Sequence, residues 1–356
     1  MSATLRVAIV GCGAVARHAH CPAWMERPGV QVVGLCDPDP GAVERLQQKL
    51  KMRVPSYAGL DELLGAVQPD VVDICTPGFL HTEQAIAALE SGCHVLVEKP
   101  PVSNKSQALE LSALAASRGR KLGAIFNYRY RDLIMRLKGA ADSGLLGKIV
   151  KVNITHHGPL VFTDAPWLWD EPRSKYLLWE FGIHFVDILV HLLGPAGELL
   201  HVHAFEQPAL GHTTDLDIAV RFAGDAVGKL EITADTTRHS SALTRIDVYG
   251  TAQDAFLRWF PPQIRFRAST ENPLRLIGDE LTSAWFVADK LLRNQFTRYR
   301  NISHYRVINA FADWLAGGDE YPLTFDRIVP TIDLLSRIEK QIPSYNRTAG
   351  CPVHAG

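Results

Sequence analysis

The sequence predicts an α/β chain whose first domain is built on a doubly wound parallel sheet, and whose second, α+β domain is built on an open, mainly antiparallel sheet. Three observations lead to this prediction. Strand-like and helix-like runs alternate up to about residue 126, a Gly-rich turn joins the first such pair, and later strand-like runs follow one another directly. Strands that alternate with helices are typical of parallel sheets, whereas strands that follow one another directly are typical of antiparallel sheets. We therefore place the domains at residues 1–126 and 127–356.

The predicted elements follow from apolar periodicity. Residues 5–10 form a nearly continuous apolar run, which indicates a strand buried on both faces. A helix follows the glycine-rich turn up to about residue 27. The other predicted elements of the first domain are strands at 30–36, 70–76, 94–98 and 122–126, and helices at 40–51, 61–67, 81–91 and 106–118. Predicted strands of the second domain lie at 148–156, 199–204, 216–222, 227–234 and 244–249.

The composition limits the classes of partner. The chain has 356 residues, with 37 Lys plus Arg against 38 Asp plus Glu, and its formal net charge is −1. This balance gives no electrostatic reason to expect nucleic acid, and no apolar run approaches the ~20 residues that span a bilayer. The six cysteines show no Cys-x-x-Cys spacing. We expect reduced cysteines, a cytoplasmic location, no integral membrane segment and a small-molecule substrate.

A dinucleotide-binding motif lies directly after the first strand. Residues 11–16 read Gly-Cys-Gly-Ala-Val-Ala, which satisfies the Gly-x-Gly-x-x-Gly/Ala pattern of a Rossmann domain. Gly11 permits the tight turn, and Gly13 lets the backbone approach a pyrophosphate at the start of a helix. Asp37 closes the second strand, where an acidic side chain binds ribose hydroxyls and repels a 2′-phosphate. The sequence thus predicts NAD, bound by residues Gly11, Gly13, Ala14, Val15 and Asp37.

Two later strands end at the sheet edge where ligands bind in doubly wound folds. One predicted strand ends at Thr76, and His81 opens the helix that follows. The next strand ends in the sequence Glu-Lys-Pro, in which Lys99 is well placed to reach a substrate. A solvated Glu-Lys pair at a strand end is the alternative interpretation.

Several stretches carry a resemblance that spans nearly the whole chain. They are residues 76–81, Glu98-Lys99-Pro100, Asn127-Tyr128-Arg129-Tyr130, residues 144–148 and residues 182–187. Together they resemble the glucose-fructose oxidoreductase / inositol dehydrogenase / rhizopine catabolism (Gfo/Idh/MocA) family. The resemblance implies a Rossmann domain, an open antiparallel sheet, and a homo-oligomer (dimer or tetramer) packed through the sheets. It also implies that Lys99 is the active-site lysine and His184 the acid/base.

The matching positions imply further ligand contacts. For the cofactor they add Thr76, Pro77, His81, Glu98 and Lys99. For the substrate we expect contacts from Asn127, Tyr128, Arg129, Trp167, Lys175, Tyr176 and Asp187. Trp167 lies in an aromatic loop that either stacks on a sugar ring or packs beneath its own chain. Family members often carry glycines and an Asp before the histidine, where this chain has Ser174-Lys175-Tyr176 and Glu180. We expect Lys175 and Tyr176 to reshape the pocket for an anionic or aromatic substrate.

A polar stripe lies on an otherwise apolar predicted helix at residues 179–193. Glu180, His184, Asp187 and His191 follow the spacing i, i+4, i+7, i+11, which places them on one helix face. In the first interpretation His184 is a general base oriented by Glu180, while Lys99 donates to the developing oxyanion. In the second, carboxylate and imidazole bind a metal. In the third, the stripe is a hydrogen-bonded core network. We predict the first, and therefore no metal.

These residues predict hydride transfer between nicotinamide and a secondary alcohol or ketone of a sugar, cyclitol or related polyol. Two alternatives remain open. Tightly bound NAD would serve a transient oxidation that leads to elimination or hydrolysis without net redox change, as in a glycosidase. A non-enzymatic NAD-binding sensor would need the glycine motif but not Lys99 or His184.

Overall fold

The computed structural model describes residues 4–159, 168, 175–207, 212–235, 243–260, 262–268, 281, 284–285, 288 and 296–343. The chain forms two compact units. The first unit comprises Met1–Tyr130 and Arg300–Ile332, and the second comprises Arg131–Tyr299 and Asp333–Gly356.

The first unit contains the predicted parallel sheet. Its strands are β1 Leu5–Val10, β2 Val30–Cys36, β3 Ser56–Tyr57, β4 Val71–Ile74, β5 His94–Val97 and β6 Leu122–Ala124. They lie in the order β3-β2-β1-β4-β5-β6, and every neighbouring pair is parallel. The order reverses direction beside β1, which is the topology of a doubly wound Rossmann sheet. The predicted fold of this domain is confirmed.

Helices connect these strands. They are α1 Cys21–Met25, α2 Pro40–Leu50, α3 Leu60–Val67, α4 His81–Glu90 and α5 Lys105–Ser117. Side-chain caps fix two of the helix starts. Asp39 accepts a hydrogen bond from the backbone of Gly41 at the start of α2, and Asn104 accepts one from Gln107 at the start of α5. A π-helical turn, Ala16–His20, leads directly into α1.

The first unit also includes a segment from the C-terminal part of the chain, residues 300–332. Among the described strands β6 lies at the edge of the sheet, and this segment covers it with an antiparallel bridge between Gly123 and Thr324. Tyr321 donates a hydrogen bond to Ala124 O at 2.7 Å. A Cβ at Gly123 would lie 2.7 Å from the Tyr321 ring and 2.8 Å from the Phe311 ring, so only glycine admits this approach. The sequence prediction gave all of residues 127–356 to the second domain, and the structure differs here.

The second unit carries a seven-stranded sheet. Its strands are β7 Ile149–Pro159, β8 Ala196–Gln207, β9 His212–Phe222, β10 Val227–Asp235, β11 Leu243–Gly250, β12 Gln253–Arg258 and β13 Gln263–Ala268, in the order β13-β12-β11-β7-β10-β9-β8. Only the β10–β7 pair is parallel among the described strands of this sheet. The predicted open, mainly antiparallel sheet is confirmed, with β12 and β13 as unpredicted additions.

Further named helices in the described part of the remaining chain are α6 Asp132–Asp142, α7 Ile183–Leu193, α8 Phe296–Leu315 and α9 Phe325–Glu339. A π-helical segment, Tyr176–Gly182, precedes α7, which packs against β7 and β10. The combined stretch Tyr176–Leu193 is long and apolar enough by length and composition to cross a membrane, and 78% of it is buried within the protein. A core helix passes the same test, and the burial of this one fits that role.

Candidate functional site

The glycine loop joins the carboxyl ends of three strands in the first unit. Gly11 has a φ of +91°, and a Cβ there would lie 2.7 Å from the carbonyl carbon of Cys75 and 2.8 Å from Thr76 N. The amide of Gly11 donates to Cys36 O at 2.8 Å. Glycine is therefore required at this position because the turn lies directly on the end of β4.

The next part of the loop has the form of a phosphate cradle. A Cβ at Gly13 would meet nothing within 4 Å, and Gly13 and Ala14 are exposed at the start of the helical segment. The first amides of a helix have no intrahelical acceptor and attract anions. At the end of β2, Asp37 accepts hydrogen bonds from Cys12 N at 2.7 Å and Asp39 N at 2.8 Å. The open glycine backbone and this fixed carboxylate fit the pyrophosphate and ribose of a dinucleotide.

His81 joins the turns that follow β4 and β5. The ring is fully buried, with Nδ1 2.8 Å from Pro100 O and Nε2 2.8 Å from Thr76 O. Burial lowers its pKa, against the raising effect of the two carbonyls. Both ring nitrogens thus face backbone carbonyls, and the contact between His81 and the cofactor stays a prediction. Thr76 lies beside it, and its hydroxyl donates to Gln84 at 2.6 Å.

The Glu-Lys-Pro turn separates its two charged residues. Glu98 is buried and its Oε2 accepts the backbone N–H of Lys99 at 2.9 Å, whereas Lys99 itself is half-buried. The Lys99-Pro100 peptide bond is cis. The alternative interpretation of a solvated Glu-Lys pair is wrong for Glu98. Its carboxylate turns into the first unit, and its contact with the cofactor stays a prediction.

The Glu98 carboxylate belongs to a buried ionic network that the sequence did not predict. The network comprises Trp24, His20, Asp73, Glu98 and His304. His20 Nδ1 lies 2.9 Å from Asp73 Oδ2, and its Nε2 lies 2.9 Å from Glu98 Oε1. Trp24 Nε1 donates to Asp73 at 2.7 Å, and His304 Nε2 lies 3.6 Å from Glu98 Oε1. The one feature of the sequence that indicated this network was Asp73, a charged residue inside an otherwise apolar strand.

The predicted substrate residues after β6 lie in a single turn, Asn127–Tyr130. Asn127 is buried, and its Nδ2 lies 3.3 Å from both Ser303 Oγ and His304 Nδ1. Its amide is thus engaged by α8. Tyr128 and Arg129 are half-buried, and their substrate contact stays a prediction.

The polar stripe of the second unit is buried. Glu180, His184 and Asp187 are 6%, 7% and 0% exposed, and His191 is half-buried. His184, Asp187 and His191 share one face of α7, but Glu180 lies in the π-helical segment before it, which interrupts the predicted regular spacing. The burial of Glu180, His184 and Asp187 is compatible with all three interpretations of the stripe.

The family departure at residues 174–176 has a defined partner. Lys175 has a φ of 43°, and its ammonium forms an ion pair with Glu339, which also accepts a hydrogen bond from Trp179 Nε1 at 2.9 Å. This pairing neutralises the Lys175 charge within the second unit, so the expectation that it attracts an anionic substrate loses its basis. Tyr176 is buried. Trp167 and Ser174 lie outside the described residues.

Comparisons with known proteins agree with both units. A family model described as the oxidoreductase family with an NAD-binding Rossmann fold matches residues 5–126, and one described as the GFO/IDH/MocA C-terminal domain matches residues 134–255. An oxidoreductase from Agrobacterium radiobacter, solved in complex with NAD+, L-tartaric acid and magnesium, has the same fold with a TM-score of 0.77 over 94% of each chain, at 18% identity.

Two curated relatives are more similar in sequence. D-glucoside 3-dehydrogenase of Escherichia coli (strain K12) is 32% identical over 212 residues, 58% of this chain and 59% of the relative. Glycosyl hydrolase family 109 protein 4 of Phocaeicola vulgatus is 30% identical over 205 residues, 54% of this chain and 38% of the relative. The chain spans about half the length of the curated relatives it matches.

Proposed function

The chain belongs to the Gfo/Idh/MocA oxidoreductase family, and on this premise we propose that it transfers hydride between NAD and a secondary alcohol or ketone of a sugar, cyclitol or related polyol. One observation carries the proposal. The open glycine loop at Gly13, the Asp37 carboxylate and the turn bearing Lys99 all follow the carboxyl ends of strands in one parallel sheet. Ligands bind at this edge in doubly wound folds.

The residues have separate proposed roles. Bound NAD would supply the hydride acceptor. The ammonium of Lys99 donates a hydrogen bond to the substrate oxygen, which stabilises negative charge as the hydroxyl loses its proton. An imidazole is suited to accept that proton near neutrality, and this is the role proposed for His184. Glu180 is proposed to orient that imidazole.

The substrate class draws on the relative named D-glucoside 3-dehydrogenase. We expect NAD and a panel of D-glucosides to give NADH, followed by its absorbance. Lys99→Met should lower kcat/KM at least ~100-fold, because one charge-stabilising donor contributes roughly 10²–10³ in rate, while NAD binding persists. Lys105→Met, at an exposed lysine that opens α5, is the matched control. Full turnover by Lys99→Met would contradict the proposal.

The preference for NAD over NADP rests on Asp37. A carboxylate at the ribose position repels a 2′-phosphate. We expect calorimetry to give tighter binding of NAD than of NADP, and Asp37→Ala to reduce the difference. Asp39→Asn, at the exposed cap of α2, should leave the preference unchanged. Equal affinities for the two cofactors in the unmodified protein would refute the preference.

A second candidate function is favoured by the glycosyl hydrolase relative. In it, bound NAD takes hydride transiently and returns it, and a glycoside is cleaved without net redox change. The two candidates separate in one assay. Glycoside cleavage without accumulating NADH, and without added NAD, supports the second.

The sensor alternative needs NAD binding alone. It is tested in cells with Gly13→Val, which fills the open space at the loop, against Lys99→Met, which leaves that space intact. If cells that carry Lys99→Met lose the biological function while the variant still binds NAD, the sensor alternative is ruled out.

We also propose that the protein is a homo-oligomer, a dimer or a tetramer, and that it lies in the cytoplasm. Light scattering and cell fractionation test these two proposals.

A further inference from the structure

We propose that His20 is a positioning residue for the Glu-Lys-Pro turn, because its ring joins the carboxylates of Asp73 and Glu98 and, through Glu98, fixes the backbone of Lys99. The inference rests on the proposed function, which assigns Lys99 its role. Its first experiment needs no turnover, so its failure is distinguishable from failure of that function.

The protonation state of His20 follows from geometry. Nδ1 lies 3.1 and 2.9 Å from the two oxygens of Asp73, Nε2 lies 2.9 Å from Glu98 Oε1, and the ring is fully buried. An ionised carboxylate only accepts hydrogen bonds. Both nitrogens can satisfy their neighbours only if each carries a proton. An imidazolium between two carboxylates also leaves less uncompensated charge than a neutral ring would.

Both ends of this chain of hydrogen bonds are anchored. On one side, Asp73 also accepts from Trp24 Nε1, which ties the aspartate to α1. On the other side, Glu98 has His304 as a second neighbour besides His20, with His304 Nε2 3.6 Å from Glu98 Oε1. The other ring nitrogen of His304, Nδ1, lies 3.3 Å from the Asn127 amide nitrogen. An amide N–H at Nδ1 leaves the proton of His304 on Nε2, which is the nitrogen that faces Glu98. The glutamate is therefore held from two directions.

The electrostatic surroundings agree. Burial opposes charge on His20, but Asp73 outweighs it, and the pKa of the histidine is raised well above its usual value. Burial likewise opposes charge on Glu98, but hydrogen bonds from His20 and His304 hold the pKa of the carboxyl well below its usual value. The thiol of Cys75, 3.2 Å from His20 Nδ1, stays neutral because burial raises its pKa to about 12. Burial similarly raises the pKa of the Cys21 thiol.

The consequence for Lys99 follows from the position of Glu98. One oxygen of the carboxylate accepts from His20 and the other accepts the backbone N–H of Lys99. Without the imidazolium, Glu98 is a buried anion with reduced compensation, and it takes up a proton or leaves its pocket. Either change weakens the bond that orients the Lys99 backbone. A misplacement of about 1 Å at a reacting group lowers a rate by up to ~10²-fold.

The same atoms offer one competing interpretation. His20 Nε2, Glu98 Oε1 and His304 Nε2 are of metal-ligand type, and all lie within 4.8 Å of one another. Histidine and carboxylate ligands are competent for zinc. The 2.9 Å contact already satisfies His20 and Glu98 as a charge-assisted hydrogen bond. We therefore argue the hydrogen-bonded network, and metal binding is an outcome of the test.

The first experiment observes the ring directly. Full-length protein labelled with 15N-histidine is followed by NMR from pH 6 to 9, and the His20 signals are those that His20→Gln removes. We expect both ring nitrogens to carry protons throughout. A singly protonated ring at neutral pH would overturn the proposal. So would one equivalent of bound zinc, measured by metal analysis, whose removal by a chelator shifts these signals.

The second experiment measures turnover with D-glucoside and NAD. His20→Gln should lower kcat roughly 10- to 100-fold with little change in the KM for NAD. Because the variant lacks the positive charge of the His20 imidazolium, the alkaline limb of its pH profile of kcat should move to higher pH. Glu98→Gln in the same background should recover part of the loss by restoring charge balance. His18→Gln, at an exposed histidine of the same π-helical turn, is the control. Unchanged kcat and pH profile in His20→Gln would overturn the proposal.

Discussion

Two buried histidines, one in each unit, differ in their charge because they differ in their neighbours. His20 of the first unit lies between two carboxylates. His156 of the second unit lies on β7, with ring centroids of Phe181 and Phe185 at 4.7 and 5.4 Å and the Thr244 hydroxyl 2.8 Å from its Nδ1. Burial lowers the pKa of His156 to about 4, and the nearby His157 contributes a smaller part of this shift. Burial favours the neutral ring in both places, and only a buried anion reverses it.

The largest expected effect comes from removing that anion. Asp73→Asn keeps the shape of the side chain but leaves His20 with Glu98 as its remaining carboxylate contact. Breaking one partner of a buried ion pair costs about 3–5 kcal/mol. Urea unfolding measures the loss, with hydrogen exchange at β4 to report on the first unit. Asp61→Asn, at an exposed aspartate of α3, should change stability by less than ~1 kcal/mol. Equal losses of stability in Asp73→Asn and Asp61→Asn would mean that the buried ion pair between His20 and Asp73 does not stabilise the first unit.

The pH dependence of stability should run in opposite directions for the two histidines. His20 has a raised pKa, so its contribution is full below the unfolded value and is lost as the pH rises through the folded value. His156 has a lowered pKa, so stability falls as the pH drops from about 6.5 toward 4, by roughly 3 kcal/mol.

His156→Phe tests the acidic side of this comparison. Phenylalanine fits the aromatic contacts and does not titrate, so we expect the acid loss of the second unit to shrink. Thermal unfolding measured between pH 4 and 7 gives the answer. An acid limb identical to that of the unmodified protein would show that other groups control it.

Trp24→Phe is expected to have a smaller effect on the first unit. It removes the N–H that donates to Asp73 at 2.7 Å and leaves a ring in the same fully buried place. A hydrogen bond to a charged acceptor contributes about 1.5–3 kcal/mol. The free energies of unfolding of Trp24→Phe, Asp73→Asn and the double variant, measured in denaturant, give the interaction energy between the indole and the aspartate. Strictly additive losses would show that the indole does not act through the aspartate.

The smallest effect is expected at Thr244. Thr244→Val removes the hydroxyl at His156 Nδ1 and keeps the β-branched shape of the strand residue. Loss of one neutral hydrogen bond costs about 1 kcal/mol. NMR titration of His156 and urea unfolding check the change. A loss as large as that of Asp73→Asn would contradict the view that His156 is a neutral core residue.

Local patterns predicted the parts of the molecule that depend on neighbouring residues. The apolar run of β1, the glycine turn and Asp37 follow one another within a short stretch, so the sequence indicated both the strand and the cofactor. The ionic network depends on residues far apart in the chain: His20 is 53 residues from Asp73 and 78 from Glu98. No periodicity carries such a pairing. For this reason the sequence indicated that Glu98 follows a strand, but it could not indicate the contact of its carboxylate with His20.

His81 shows the limit of a motif in another way. The pattern placed it correctly at the start of α4, but its role depends on two backbone carbonyls from separate turns. Lys175 is similar, because Glu339 on a distant helix removes the free charge that its position suggested. The roles predicted for His184, Asp187, Tyr128 and Arg129 still await a bound ligand.

The segment at residues 300–332 has a consequence for biosynthesis. The ribosome completes β6 long before it makes Tyr321 and Phe311, so the nascent first unit carries an uncovered edge strand while some two hundred further residues are added. Uncovered edge strands invite pairing with other chains. A gene truncated after the family's N-terminal match should therefore yield aggregated product, and a chaperone that shields strand edges should raise the yield of the whole chain.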